Sequence, residues 1–178
     1  MRFGRRMRFI ARFGRAAGGA TAVEFALVAA PFLFILFAIL EIGRLYTLNS
    51  VLEDATMNAG REVRTGVLQL SGGSMTTFRD RICADMGMFG GDCAQRLSVD
   101  VRVMPSFANQ TAPDPVIDDQ FDEDLLTFQP GEANDIILVR TWWRAPIFAP
   151  MVTQGLRRLS DDSVVLSMAT TFRNEPYE

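Results

Sequence analysis

Residues 18–41 read GGATAVEFALVAAPFLFILFAILE. Sixteen residues, Phe25 to Leu40, carry no charge. Together with Ala20–Val23 before them and the approach to Tyr46 after them, they can span a bilayer core, which takes about 20 helical residues. Lipid offers no water to backbone N–H and C=O groups, so a lone span must be helical. Pro31 lies inside the run; it removes one backbone bond and invites a kink, and membrane helices tolerate it better than soluble ones do. One carboxylate, Glu24, stands near the start of this apolar stretch.

Charge sets the expected orientation. Arg2, Arg5, Arg6, Arg8, Arg12 and Arg15 precede the run without a single acid, and an excess of cations keeps its flank in the cytoplasm. The body from about Arg44 onward is then periplasmic or extracellular. A cleaved secretory signal fits less well. The apolar stretch is slightly long, and its exit, LEIGRLY, has no A-x-A-like site. Arg5–Arg6 forms a twin-arginine pair in an unsuitable context.

Setting aside the six leading arginines leaves twelve arginines against 21 acids. So acidic a body lacks the basic face that phosphate contacts need, and nucleic acid is excluded as a partner. The chain has no His, and all 18 of its basic residues are Arg. Imidazole metal sites, Ser–His and Cys–His pairs and Lys Schiff bases are thereby excluded. G-x-S-x-G is also missing. Carboxylate pairs occur in DDQFDED (118–124), but clustered, solvated acids lack the burial that separates an acid from a base. The expectation is a non-enzymatic protein with no cofactor, no metal and no small-molecule substrate.

Glu24 admits two explanations. It could sit hydrated and uncut in the headgroup layer. Alternatively, cleavage between Gly19 and Ala20 would free an α-amine four residues before it. Positions i and i+4 share a helix face about 6 Å apart along the axis. The carboxylate could then neutralise its own amine or a neighbouring subunit's, in a first turn where the helix dipole favours an anion. Geometry alone leaves both open.

The pattern Gly19-Ala20-Thr21-Ala22-Val23-Glu24-Phe25, behind a basic leader and ahead of ALVAAPFLFILFAILEIGRLY, resembles the TadE-like pseudopilins of the tight-adherence (Tad, Flp) type IV pilus system. The ending TTFRNEPYE resembles that family's Arg–Asn–Glu–Pro terminus, and WWRAPIFAPMV (142–152) its proline-spaced apolar segment. The strong likeness covers about residues 15–65. Ala20 stands where other type IV pilins place Phe, a position the Tad group leaves permissive, and Gly18 offers a second cutting point. The resemblance implies a minor pilin-like subunit of the inner membrane. It implies a processing site at Gly19 and Ala20, Glu24 as an assembly carboxylate, and as partners a prepilin peptidase, other Tad pilin-like subunits and the pilus assembly machinery. Surface adherence is the implied role. An uncleaved single-pass scaffold or sensor is the alternative.

The expected class is α+β: a long N-terminal membrane-spanning helix running into a small periplasmic domain with a short helix and an antiparallel sheet. Residues 1–19 form the leader, 20–46 the span, 47–70 the helix's extension and 71–178 the domain. Apolar or small residues at Leu45, Leu48, Leu52, Ala55, Ala59, Val63, Val67 and Leu70 recur at helical steps. A continuous helix from Ala20 to Leu70 would be about 75 Å long, with Gly60 and Gly66 as its weak points. Ser74 is placed to cap a second helix running to about Met88, with Phe78, Ile82, Met86 and Phe89 on one side. Cys83 and Cys93 are a disulfide candidate for an oxidising compartment, or two free thiols.

Strands are expected over Leu97–Met104, Asp135–Arg144 and Ser163–Arg173. In the first, Leu97, Val99, Val101 and Val103 should face inward and Ser98, Asp100 and Arg102 outward. Trp142 and Trp143 are adjacent and must point to opposite faces. One belongs to the core; the other is a candidate partner surface, unless a loop covers it. Residues 105–134 are long for an internal loop. Their acidic run is a solvated surface or, less naturally, a calcium site without EF-hand spacing.

Overall fold

The computed structural model describes residues 17–108, 111–148, 156 and 159–177. Most of the basic leader and residues 149–152 of the proline-spaced segment lie outside the described residues. Helix α1 runs over Ala17–Arg64 and stays helical through Pro31. It begins at Ala17 rather than Ala20, so Gly19 and Ala20 lie within its first turn. The chain divides into two compact units between Leu40 and Glu41.

In the second unit, Leu45, Leu48, Leu52, Ala55, Ala59 and Val63 form one buried stripe of α1. The three- and four-residue steps foretell this much. The stripe does not continue to Val67 and Leu70, which are both exposed. Gly66 adopts φ +79° and ends the helix, and a short helix α2, Val67–Leu70, restarts in a different register. Leu68 takes the buried place instead. Gly60 stays inside α1, where its missing side chain admits the Phe172 ring: a Cβ there would lie 3.3 Å from it.

The helix end is closed by the C-terminal tail. The Glu175 amide donates to the Arg64 carbonyl (2.8 Å), and Gln69 Nε2 donates to the Val63 carbonyl (2.9 Å). Both satisfy last-turn carbonyls that have no partner within the helix. Asn174, which is buried, donates through Nδ2 to the carbonyls of Pro130 (2.9 Å) and Glu132 (3.0 Å). The Tyr177 ring lies over Gly66, where a Cβ would meet it at 2.3 Å. The ending RNEPY is thus a clamp on the helix terminus. Gly66→Ala should destabilise the body by about 2 kcal/mol, because it combines left-handed strain with displacement of the ring. Urea unfolding followed by tryptophan fluorescence checks this; an unchanged midpoint counts against the clamp.

Ser74 caps α3 (Met75–Asp85) by accepting the Thr77 amide. A 3-10 stretch, Gly87–Asp92, and a short α4, Cys93–Arg96, lead into the sheet. The Cys83–Cys93 disulfide (Cα–Cα 5.5 Å) ties α3 to α4. Strand β1, Leu97–Met104, has the expected bounds. A two-residue hairpin, β2 (Val116–Ile117) with β3 (Gln120–Phe121), follows. Strands β4 (Ile136–Ala145) and β5 (Val164–Arg173) complete a three-stranded antiparallel sheet of order β1-β4-β5.

The sheet packs one face on α1 and α3. Leu97, Val99, Val101, Ile137, Val139 and Trp143 join the α1 stripe with Phe78, Ile82 and Met86, and the hydroxyls of Thr56 and Thr141 meet at 3.0 Å inside this layer. The opposite face is also covered. Val116, Trp142, Leu159 and Val165 form a second cluster, with Phe121 and Leu126 against it. This layer corrects two expectations. Ser98 and Asp100 point away from the helix yet are buried, while Val103 near the strand's end is exposed. Neither Trp142 nor Trp143 offers a partner surface, because both are buried, Trp143 under the helices and Trp142 under the 116–126 loop.

The acidic run has structural work of its own. Asp118 and Asp119 take φ 49° and 59° at the β2–β3 turn, a left-handed pair suited to a two-residue hairpin. Asp122 caps the next turn by accepting the Asp124 amide (3.0 Å), and Glu123 pairs with Arg144 (3.1 Å). Among the described residues, no three acidic or Cys side chains cluster as a metal site would require.

Candidate functional site

The candidate site is the N-terminal part of α1. Val23, Phe25, Leu27, Val28, Phe32, Phe34, Ile35, Phe37, Ile39 and Leu40 are all exposed. A helix apolar on every side finds its cover in lipid or in other helices. By length and composition α1 can cross a membrane once.

Glu24 projects from this surface and is exposed. Among the described residues it has neither an ion pair nor a hydrogen bond, in contrast to Glu41 and Asp100 of the body. Among the described residues, a Cβ at Gly19 would meet nothing within 4 Å. The axial step from Ala20 to Glu24 is one helical turn, about 6 Å.

A second carboxylate, Glu41, ends the apolar run and is buried. Arg44 donates to it at 2.7 Å from the next turn. Sequence reading treats Glu41 only as the end of the span; its one signal is the i, i+3 pairing with Arg44.

Asp100, the third carboxylate, is read from the sequence as outward-facing, and it is fully buried. Arg102 Nε donates to both its oxygens (2.9 and 2.8 Å). Arg140 donates through Nε (3.0 Å) and Nη2 (2.7 Å), and the Thr127 amide through 2.8 Å. Burial alone would raise its pKa; the hydrogen bonds from Arg102, Arg140 and Thr127, with the charge of Arg140, outweigh that and hold it below the usual range. Arg102 also donates to the Leu125 carbonyl and Arg140 to that of Pro113 (2.9 Å). The group fastens the covering loop to the sheet, and every member has a structural partner, which argues against a catalytic acid.

Residues 19–61 match the family model described as TadE-like protein. The match begins at Gly19 and contains Glu24 and the whole apolar run. No curated protein and no solved structure matches the chain.

Proposed function

We propose that this chain, TadE-like over residues 19–61, is a minor pilin-like subunit that a prepilin peptidase trims between Gly19 and Ala20 before it supports assembly of a Tad pilus for surface adherence. The N-terminus stays cytoplasmic and the body from Glu41 onward faces the periplasm, in keeping with the six leading arginines. The observation that carries this reading is an exposed Glu24, unpartnered among the described residues, one helical turn from Ala20 on a helix whose apolar surface the described residues leave uncovered.

Each part has a mechanical consequence. Removal of the leader takes away the cations that hold the N-terminus at the cytoplasmic surface, and it leaves an α-amine. The apolar helix stores the subunit in the bilayer and then packs among similar helices. Glu24 biases that transfer, since a carboxylate is better placed opposite a neighbour's amine than alone in lipid. Intact-mass measurement and N-terminal sequencing of protein made with and without the peptidase test the first step. A new terminus at Ala20 only when the peptidase is present is the expected result; Met1 retained in both cases overturns processing and leaves an uncleaved membrane anchor.

A further inference from the structure

One cluster in the body has no part in this reading. The Arg44 nitrogen that pairs with Glu41 also donates to the Pro146 carbonyl (2.6 Å). The Phe148 amide points at Glu41 Oε1 (3.5 Å), and the Arg44 guanidinium lies 4.8 Å from the centre of the Phe148 ring. The chain leaving β4 is therefore tied to the residues of α1 that follow the apolar run. Held in this way, Phe148 is nevertheless 74% exposed. Met88, which lines the same cleft as Arg44, Pro146 and Phe148, is 89% exposed. Ile42 and Tyr46 are exposed on the same stretch of α1.

We propose that this end of the body, Met88 and Phe148 beside the Glu41–Arg44 pair, rests in the headgroup layer of the bilayer that α1 crosses, at the level of the exposed Ile42 and Tyr46. It rests on the single-pass reading above. About 20 helical residues fill the hydrocarbon core, and Thr21–Leu40 supply them. Glu41 and Arg44 then emerge into the headgroups, and whatever is hydrogen-bonded to them lies at the same depth. Tyrosine, as at Tyr46, is enriched in that layer, and an arginine near the end of a span reaches it by snorkelling. Glu41 carries its own countercharge, so it presents no bare carboxylate to anionic lipid.

The test uses the full chain in nanodiscs of phosphatidylcholine and phosphatidylglycerol. The two native cysteines are bonded to each other, so one added cysteine can be labelled with an environment-sensitive fluorophore. The variants are Phe148→Cys, Met88→Cys (which keeps Phe148), Thr76→Cys at the start of α3, and Leu36→Cys within the apolar run. Headgroup-nitroxide lipid should remove emission at positions 88 and 148 and spare position 76; acyl-chain nitroxide should quench position 36. Quenching at 36 without quenching at 88 and 148 overturns the membrane seat and leaves the span standing. No quenching at 36 overturns both.

Discussion

Asp100→Ala should lower the unfolding free energy of the body by about 3–5 kcal/mol, the cost of breaking a buried ion pair from one side. The substitution would leave the guanidiniums of Arg102 and Arg140 without their shared anion, and the Thr127 amide without its acceptor. It would also loosen the 113–127 segment, which covers Trp142. For a domain of this size the thermal midpoint should fall by about 10 °C. Both tryptophans lie in the body's two clusters and report its unfolding directly. Asp100→Asn, which keeps shape but not charge, should fall between wild type and alanine. The pH dependence has a fixed sign. The folded pKa is depressed, so this stabilisation is complete above the unfolded value, about 3.9, and is lost as the pH falls through the lower folded value. The gap between wild type and Asp100→Ala should therefore close in strong acid. A midpoint change of only a degree or two near neutral pH would show that water substitutes for the carboxylate.

Glu24→Ala should leave leader removal intact while nearly abolishing pilus assembly. On the proposed function, cleavage depends on the junction, which the substitution does not touch, and assembly on the carboxylate having somewhere better to be than lipid. A charge at the bilayer centre costs about 2.5–3.5 kcal/mol by insertion scales and less near a helix start, so the bias toward any state that pairs Glu24 is below roughly a hundredfold. Alanine removes both the penalty and the bias, so the subunit should accumulate in the membrane at mature length. Immunoblots of membrane and sheared-surface fractions separate the two steps. Normal piliation would count against the pairing role, and a full-length product would move Glu24's role to the peptidase.

Elements that depend on near neighbours were legible in the sequence. LSVDVRVM alternates cleanly, and its strand bounds emerge as read. Ser74 is followed by an amphipathic run and caps it. What escaped depends on contacts distant in sequence. Nothing near Ser98 or Asp100 announces that residues 113–127 will fold back over them; the Val101 amide bonded to the Thr127 carbonyl (2.9 Å) shows how that segment adds to the free edge of β1. For the same reason Trp142 stood between a partner surface and a covering loop, and the loop covers it. The stripe overran at Val67 because periodicity does not say that Gly66 turns left-handed and restarts the helix in another register. Of the N-terminal site, the apolar run was readable, since its pattern lies within one helix. Glu41 was not, because its burial is made by the turn after β4.

The C-terminal clamp has a consequence in time. β4 is the central strand, and one of its two partners, β5, together with the tail on Arg64, is made last. A chain emerging from its N-terminus therefore puts α1 in place while the cover for Leu45–Val63 is still unsynthesised. The Cys83–Cys93 link spans only a short stretch and can form early, but the sheet cannot close until β5 has crossed. Until residues 164–177 are made, Gly60 lacks the Phe172 ring and the α1 terminus lacks its clamp, so that end of the helix is the last part of the body to be sealed.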